Sequence, residues 1–210
     1  MQVAIVKYNA GNIYSVVNAL KRLGVEPLLT DDAEELQKAD RVLFPGQGEA
    51  RGAMEYLKAR RLDEVIRNLT QPVLGICIGQ QLLCRHSEEG DVDCIGIFDA
   101  DVKRFQPQRH EDKVPCMGWN AIDVRCKTED VKCRLFDGLQ PSAIAPQPYV
   151  YFVHSYYAEI CPYTAGRTEY AGVEFTSVVR KGLLTAYQFH PEKSGAVGEQ
   201  IIKNFLDQSE

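Results

Sequence analysis

From residue 3 to about residue 83 the chain alternates short apolar runs with segments whose apolar positions recur at helical spacing. Val3-Ala4-Ile5-Val6 is a continuous apolar run and reads as a strand. Between Asn12 and Leu23, apolar side chains fall at 13, 16, 17, 20 and 23, one face of a helix, and Gly24 stands where a C-terminal cap belongs. Pro27 to Leu29 reads as a second strand, and Asp31 or Asp32 as the cap of a short helix running through Leu36. Arg41 to Phe44 is a third strand, closed by Pro45-Gly46; Met54 to Leu69 reads as a helix. Val73 to Ile76 is a fourth strand, and Ile78 to Leu83 opens the next helix. Alternating β and α elements predict a parallel sheet with helices on its faces.

The pattern changes from about Val92 to Phe189, where short β-like runs are separated by turn residues: Tyr149 to Tyr157, Glu174 to Val179 and Leu183 to Phe189 are the clearest. Helical period returns from Val197 to Leu206. The chain holds no internal repeat and no low-complexity linker. The expectation is one α/β domain over residues 1–210, with a mostly parallel open sheet, flanking helices and a β-rich second half ahead of a final helix. In open α/β sheets, ligands bind beyond the carboxyl ends of the parallel strands. Three glycine-bearing turns end predicted strands (Tyr8 to Asn12, Pro45 to Gly48 and Gly75 to Gly79), so they are expected to share one rim.

Composition narrows the function. With 210 residues and 45% hydrophobic content, one full core is available. A net charge of −5 argues against nucleic acid as the main partner, since phosphate neutralisation needs clustered Lys and Arg. No run of about 20 apolar residues is present, and the chain enters its first strand without the pattern of a secretory leader. A cytosolic location is expected. Seven cysteines, an odd number with no Cys-x-x-Cys pair, disfavour a disulfide framework and a zinc site. No metal or other cofactor is called for. Six of the seven (Cys84, Cys94, Cys116, Cys126, Cys133 and Cys161) read as small apolar residues.

Cys77 reads differently. The apolar run Pro72-Val73-Leu74-Gly75-Ile76 ends at it, glycines bracket it at 75 and 79, and an apolar helix-like run follows at once. A nucleophile on a sharp strand-to-helix turn needs neighbours with almost no side chain, and a helix start favours thiolate over thiol. Such a cysteine usually needs a base and an orienter. Of the four histidines, His86 and His110 lie in polar stretches, and His154 follows an apolar run, where a structural or gating role is favoured. His190 ends a strand, Pro191 stiffens the turn after it, and Glu192 can reach back to the imidazole. A carboxylate on one ring nitrogen fixes the tautomer and leaves the other nitrogen for proton transfer. Cys77, His190 and Glu192 therefore form a candidate triad. A non-catalytic binding module, with Cys77 structural or metal-binding, stays open on the residues alone. The Gly46-Gln47-Gly48 turn lacks the following Gly-Lys-Ser/Thr of a phosphate loop.

Gly75-Ile76-Cys77-Ile78-Gly79-Gln80-Gln81 together with Gln188-Phe189-His190-Pro191-Glu192 resembles the signature pair of the class I (triad) glutamine amidotransferases. Gly11-Asn12-Ile13, Pro45-Gly46-Gln47-Gly48, the stretch Val114 to Asn120 with Met-Gly-Trp-Asn, the stretch Tyr151 to Tyr157 with His-Ser-Tyr, and His190 to Gly195 are similar to one branch, the glutaminase subunits that serve a cyclase of histidine biosynthesis. The resemblance implies that Cys77 attacks the side-chain amide of glutamine, that His190 moves the protons and that Glu192 orients it. It implies an oxyanion hole from the backbone amides of Gln47 and Ile78, and glutamine binding at Gly46, Gly48, Gln81, Ser155 and Tyr156. It also implies docking through Asn12, Met117, Trp119, Asn120 and Lys193 on a (β/α)₈-barrel cyclase that receives the ammonia. Lys7 and Asn9 depart from the branch's common Asp and Gly, Cys116 stands where histidine is common, and Gln47 fills the variable slot of the oxyanion loop. Triad glutaminases of other pathways are the rivals within the family.

Overall fold

A computed structural model describes residues 1–8, 13–46, 48–124, 136–139 and 147–208. The first half winds as β1 (Val3–Val6), α1 (Tyr14–Arg22), β2 (Leu28–Thr30), α2 (Ala33–Lys38), β3 (Arg41–Phe44), α3 (Ala50–Ala59), α4 (Leu62–Arg67), β4 (Val73–Ile76) and α5 (Ile78–Leu82). There follow β5 (His86–Ser87), β6 (Val92–Asp93), β7 (Asp101–Arg104), β8 (Cys116–Ala121), β9 (Asp123–Val124), β10 (Tyr149–His154), β11 (Tyr156–Ala158), β12 (Thr164–Tyr170), β13 (Val173–Lys181), β14 (Leu184–Tyr187) and α6 (Gly195–Leu206).

The main sheet runs β2-β1-β3-β4-β14-β13-β11-β7-β5-β6, with β12 on β13 and β9 on β12. Its β2 to β14 side is parallel throughout, and pairing turns antiparallel at β13. The buried strands are apolar on both faces because both faces are covered. Val3 and Ile5 face Val16, Leu20, Ile201 and Phe205 of α1 and α6. Ala4 and Val6 belong to the opposite layer, with Leu36, Leu57 and Ile66 of α2, α3 and α4. β14, which comes late in the chain, pairs with β4 in the middle of the sheet, Tyr187 opposite Ile76. That pairing brings His190 beside Cys77.

Local signals hold where short-range chemistry decides. Asp32 caps α2, its Oδ1 accepting from the Glu34 and Glu35 amides at 2.8 and 3.0 Å. Gly24 takes φ +78° at the end of α1, and the Val25 amide donates back to the Leu20 carbonyl at 3.0 Å. Two elements differ from expectation. The helix expected over 54–69 is broken at Arg61, which takes φ +56°. In a straight helix Leu57 and Leu62 would point about 140° apart; the break lets Leu57, Leu62 and Ile66 all bury in one layer. The run Tyr149 to Tyr157 splits at Ser155. β10 pairs with β8 in a separate hairpin-like ribbon, while β11 joins the main sheet against β7 and β13.

Candidate active site

Cys77 sits between β4 and α5 with φ +52° and ψ −110°, a conformation that side-chain-bearing residues rarely adopt. Its amide donates to the Tyr187 carbonyl at 2.6 Å, continuing the β4–β14 ladder one residue past the strand. The glycines around it are required by close approach. A Cβ on Gly79 would lie 2.1 Å from the Phe44 carbonyl oxygen, one on Gly46 would lie 2.0 Å from that of Ile76, and one on Gly75 would lie 2.7 Å from the Ala186 Cβ. The turns after β3 and β4 thus interlock through bare backbone, and Tyr8, just past β1, adds a buried hydroxyl that donates to the Pro45 carbonyl. The expected common rim is formed by the described parts of all three turns. The helix after Cys77 is only five residues long, so its dipole acts more weakly on the sulfur than the apolar run suggested.

His190 enters from the end of β14. Its amide donates to the Tyr151 carbonyl at 2.9 Å, and its own carbonyl accepts from Ser194 Oγ at 2.7 Å. Ser194 Oγ also accepts from the Tyr151 amide at 2.9 Å. A single 3₁₀ turn, Pro191–Lys193, swings Glu192 back so that its Oε1 lies 2.7 Å from His190 Nδ1, with both side chains buried. A carboxylate accepts only, so Nδ1 carries a proton and Nε2 faces Cys77. Burial opposes charge on this ring. The Cys77 sulfur and then the Glu192 carboxylate outweigh it and hold the imidazole at about 10, so it is protonated near neutral pH.

These groups open onto a cavity of about 280 Å³ lined by Gly46, Gly48, Cys77, Ile78, Gln81, Glu89, Pro115, Val153, His154, Ser155, Tyr156 and His190. A larger groove of about 920 Å³ runs between α1 and α6, past Arg22, Lys193 and Lys203, and among the described residues no cysteine, serine or threonine lines it. Eight of the sequence-derived site residues therefore meet in one small chamber: Cys77, His190, Ile78, Gly46, Gly48, Gln81, Ser155 and Tyr156. Glu192 stands directly behind His190. Gln47 and Asn12 lie outside the described residues. Met117 and Trp119, 64% and 54% exposed, project from alternate positions of β8. The Trp119 ring packs edge-on against Tyr151 at 6.2 Å. Lys193 follows Glu192 on the same turn, whereas Asn120 is tied by its side-chain amide to the Glu169 carbonyl at 3.0 Å.

His154 is buried among Phe105, Phe152 and Phe175, with ring centroids 5.3–5.6 Å away. Its Nδ1 donates to the Tyr156 carbonyl at 2.7 Å, and burial holds its pKa down to about 4, so the ring is neutral. Sequence reasoning missed Glu89. Its carboxylate lines the chamber, accepts from the Ala50 amide at 3.0 Å, and has its pKa raised by burial. In sequence it is one of two adjacent glutamates in a polar turn, and nothing local separates it from Glu88, which pairs with Lys103 outside the chamber.

Comparison with known proteins agrees with this geometry. Residues 4–209 match the family profile described as glutamine amidotransferase class-I. Imidazole glycerol phosphate synthase subunit HisH of Bacteroides thetaiotaomicron is 58% identical over 207 residues, spanning 99% of this chain and 100% of the relative. The HisH subunit of Bacteroides fragilis is 55% identical with the same coverage. Among solved structures, a glutamine amidotransferase from Thermotoga maritima superposes with a TM-score of 0.62 at 18% identity, covering 99% of this chain and 83% of that one, a likeness of fold alone. The chain thus belongs to the class I glutamine amidotransferases, within the branch formed by the HisH subunits of imidazole glycerol phosphate synthase.

Proposed function

We propose that this chain, as a single glutaminase domain, hydrolyses L-glutamine to glutamate and ammonia for imidazole glycerol phosphate synthase. The observation that carries the proposal is the 280 Å³ chamber in which Cys77 meets the His190–Glu192 pair, in a chain of this family. The Cys77 sulfur attacks the side-chain amide carbon, and the carbonyl electrons move onto oxygen. The Ile78 amide, at the turn after the nucleophile, and the Gln47 backbone amide receive that oxyanion; losing one such donor typically costs about 2.7–4 kcal/mol in the barrier. His190, already protonated, gives its Nε2 proton to the amide nitrogen, the C–N bond breaks and ammonia leaves. The neutral imidazole then takes a proton from water as the hydroxide attacks the thioester. The C–S bond breaks, and glutamate and the resting sulfur are regenerated.

The substrate's backbone ends are held at Gly46, Gly48, Gln81, Ser155 and Tyr156. Gln81 commits both N–H groups of its amide, to the Tyr156 carbonyl at 2.8 Å and to Gln188 Oε1 at 3.0 Å, which leaves Oε1 to accept from the substrate's ammonium. Glu89 supplies the compensating charge from the opposite wall.

Ammonia must reach its acceptor before it meets bulk water. The partner is a cyclase subunit with a (β/α)₈ barrel, docked on the exposed face of β8 through Met117 and Trp119, and Lys193, Asn120 and Asn12 contribute further contacts. There ammonia converts a phosphoribulosyl-formimino ribotide into imidazole glycerol phosphate and an aminoimidazole carboxamide ribotide. The complex works in the cytoplasm; among the described residues no helix is long and apolar enough to cross a membrane. The test mixes this chain with the cyclase and the ribotide and measures glutamate release. Turnover should appear only in the full mixture and vanish in Cys77→Ala, while added ammonium salts still drive the cyclase. Glutamine-dependent turnover in Cys77→Ala removes the assigned nucleophile.

A further inference from the structure

Gln188 is fully buried beside the Cys77 sulfur and takes no part in the chemistry above. Its backbone position follows from the ladder: the Cys77 amide is bonded to the Tyr187 carbonyl at 2.6 Å, and the Gln188 amide donates to the Ser177 carbonyl at 3.0 Å. Which end of the Gln188 carboxamide meets the sulfur is settled by a chain of obligatory donors and acceptors. The Tyr156 carbonyl can only accept, so the Gln81 atom 2.8 Å from it is nitrogen. That nitrogen's second N–H needs an acceptor, so the Gln188 atom 3.0 Å away is Oε1. Gln188 Nε2 is thereby turned onto Cys77 Sγ at 3.7 Å, where it can only donate. A donor there is used fully by a thiolate and poorly by a thiol. The thiol's own alternative is a weak bond to the Val153 carbonyl at 3.9 Å.

We infer that Gln188 is a positioning residue, held by the Tyr156–Gln81 relay so that its amide N–H aims the Cys77 sulfur and keeps it charged. The inference rests on Cys77 being the nucleophile. The relay begins at the carbonyl of Tyr156, which also anchors His154, so the chamber wall that receives the substrate's backbone ends is wired to the reacting atom through two buried amides. Among the described residues, the other titratable groups around the sulfur are His190 with Glu192 behind it, the Tyr8 hydroxyl from the turn after β1, His154 beside His190, and Glu89 in the chamber lining. None of them changes in the variants below.

The test reads the thiolate directly, without substrate. Iodoacetamide labelling of Cys77 in the full-length chain is followed by mass spectrometry of its peptide across pH 5–10, for wild type, Gln188→Met and Gln188→Glu. Methionine removes the donor; glutamate keeps an acceptor for Gln81 and turns an oxygen lone pair on the sulfur. Both should move the labelling midpoint upward by about one pH unit or more, which slows labelling about tenfold at pH values below the midpoint. In the complex with the cyclase, kcat should fall while KM for glutamine stays within about threefold. If Gln188→Met does not fold, judged by its thermal midpoint, Gln188→Leu, which also removes the donor without adding charge, takes its place. A wild-type labelling midpoint in a folded variant overturns the inference. The proposed activity is judged separately, by loss of turnover in Cys77→Ala, so either can fail alone.

Discussion

Replacing Glu192 by glutamine keeps the shape of the buried pair and removes its charge. Glu192 Oε1 lies 2.7 Å from His190 Nδ1 with both side chains out of solvent, and a hydrogen bond between charged groups in such a place is worth about 1.5–3 kcal/mol. That corresponds to about one to two pKa units, so the imidazole held at about 10 in the wild type should fall by that amount. The alkaline limb of kcat/KM for glutamine hydrolysis, which reports the free enzyme, should move down with it. Glutamine can also donate to Nδ1 and impose the wrong tautomer, a fault that costs a serine protease about 10⁴ in kcat; a fall between about 10² and 10⁴ is expected here. Stability follows the same group. The folded pKa is raised above its unfolded value near 6.5, so the imidazolium's contribution is complete below that pH and is lost as pH rises through about 10. In Glu192→Gln the loss should begin at lower pH. The assays are a pH–rate profile of glutamate release in the cyclase complex and thermal midpoints from pH 6 to 10. An unmoved alkaline limb with kcat/KM within threefold of wild type would refute the reasoning, because the carboxylate would then not be holding the proton.

Glu89→Gln should raise KM for glutamine about 10- to 100-fold with kcat nearly kept, read by the same assay, since a charge facing the ammonium acts on binding more than on the chemical step. Gly79→Ala should abolish turnover and lower the thermal midpoint, because its Cβ would lie 2.1 Å from the Phe44 carbonyl oxygen; a folded, active variant would mean that the two turns can separate. Trp119→Ala should weaken association with the cyclase by about 2 kcal/mol or more in titration calorimetry, the usual cost of truncating a central aromatic anchor, and leave the thermal midpoint of the free chain nearly unchanged because the ring is 54% exposed.

Elements whose causes are local can be read from the chain alone. β1 and β4 are unbroken apolar runs and β3 is one after its first residue, Arg41, and the structure has all three at the expected bounds. Asp32 and Gly24 end helices through bonds made within a few residues. Cys77, His190 and Glu192 are legible as a candidate group because a cysteine at a glycine-flanked turn and a carboxylate two residues past a strand-end histidine are short-range patterns. Other features depend on contacts between distant parts of the chain. The break at Arg61 exists because Leu57 and Leu62 must bury on the same side. Ser155 faces the chamber because β10 leaves the sheet for β8 while β11 stays in it. Glu89 differs from Glu88 only in which residues stand opposite. The orientation of Gln188 follows from a carbonyl 32 residues earlier acting through a side chain 107 residues away. Hydrophobic period and capping act over one or two turns of chain, whereas the choice of which polar atom faces the sulfur is made by partners that meet only once the sheet has closed.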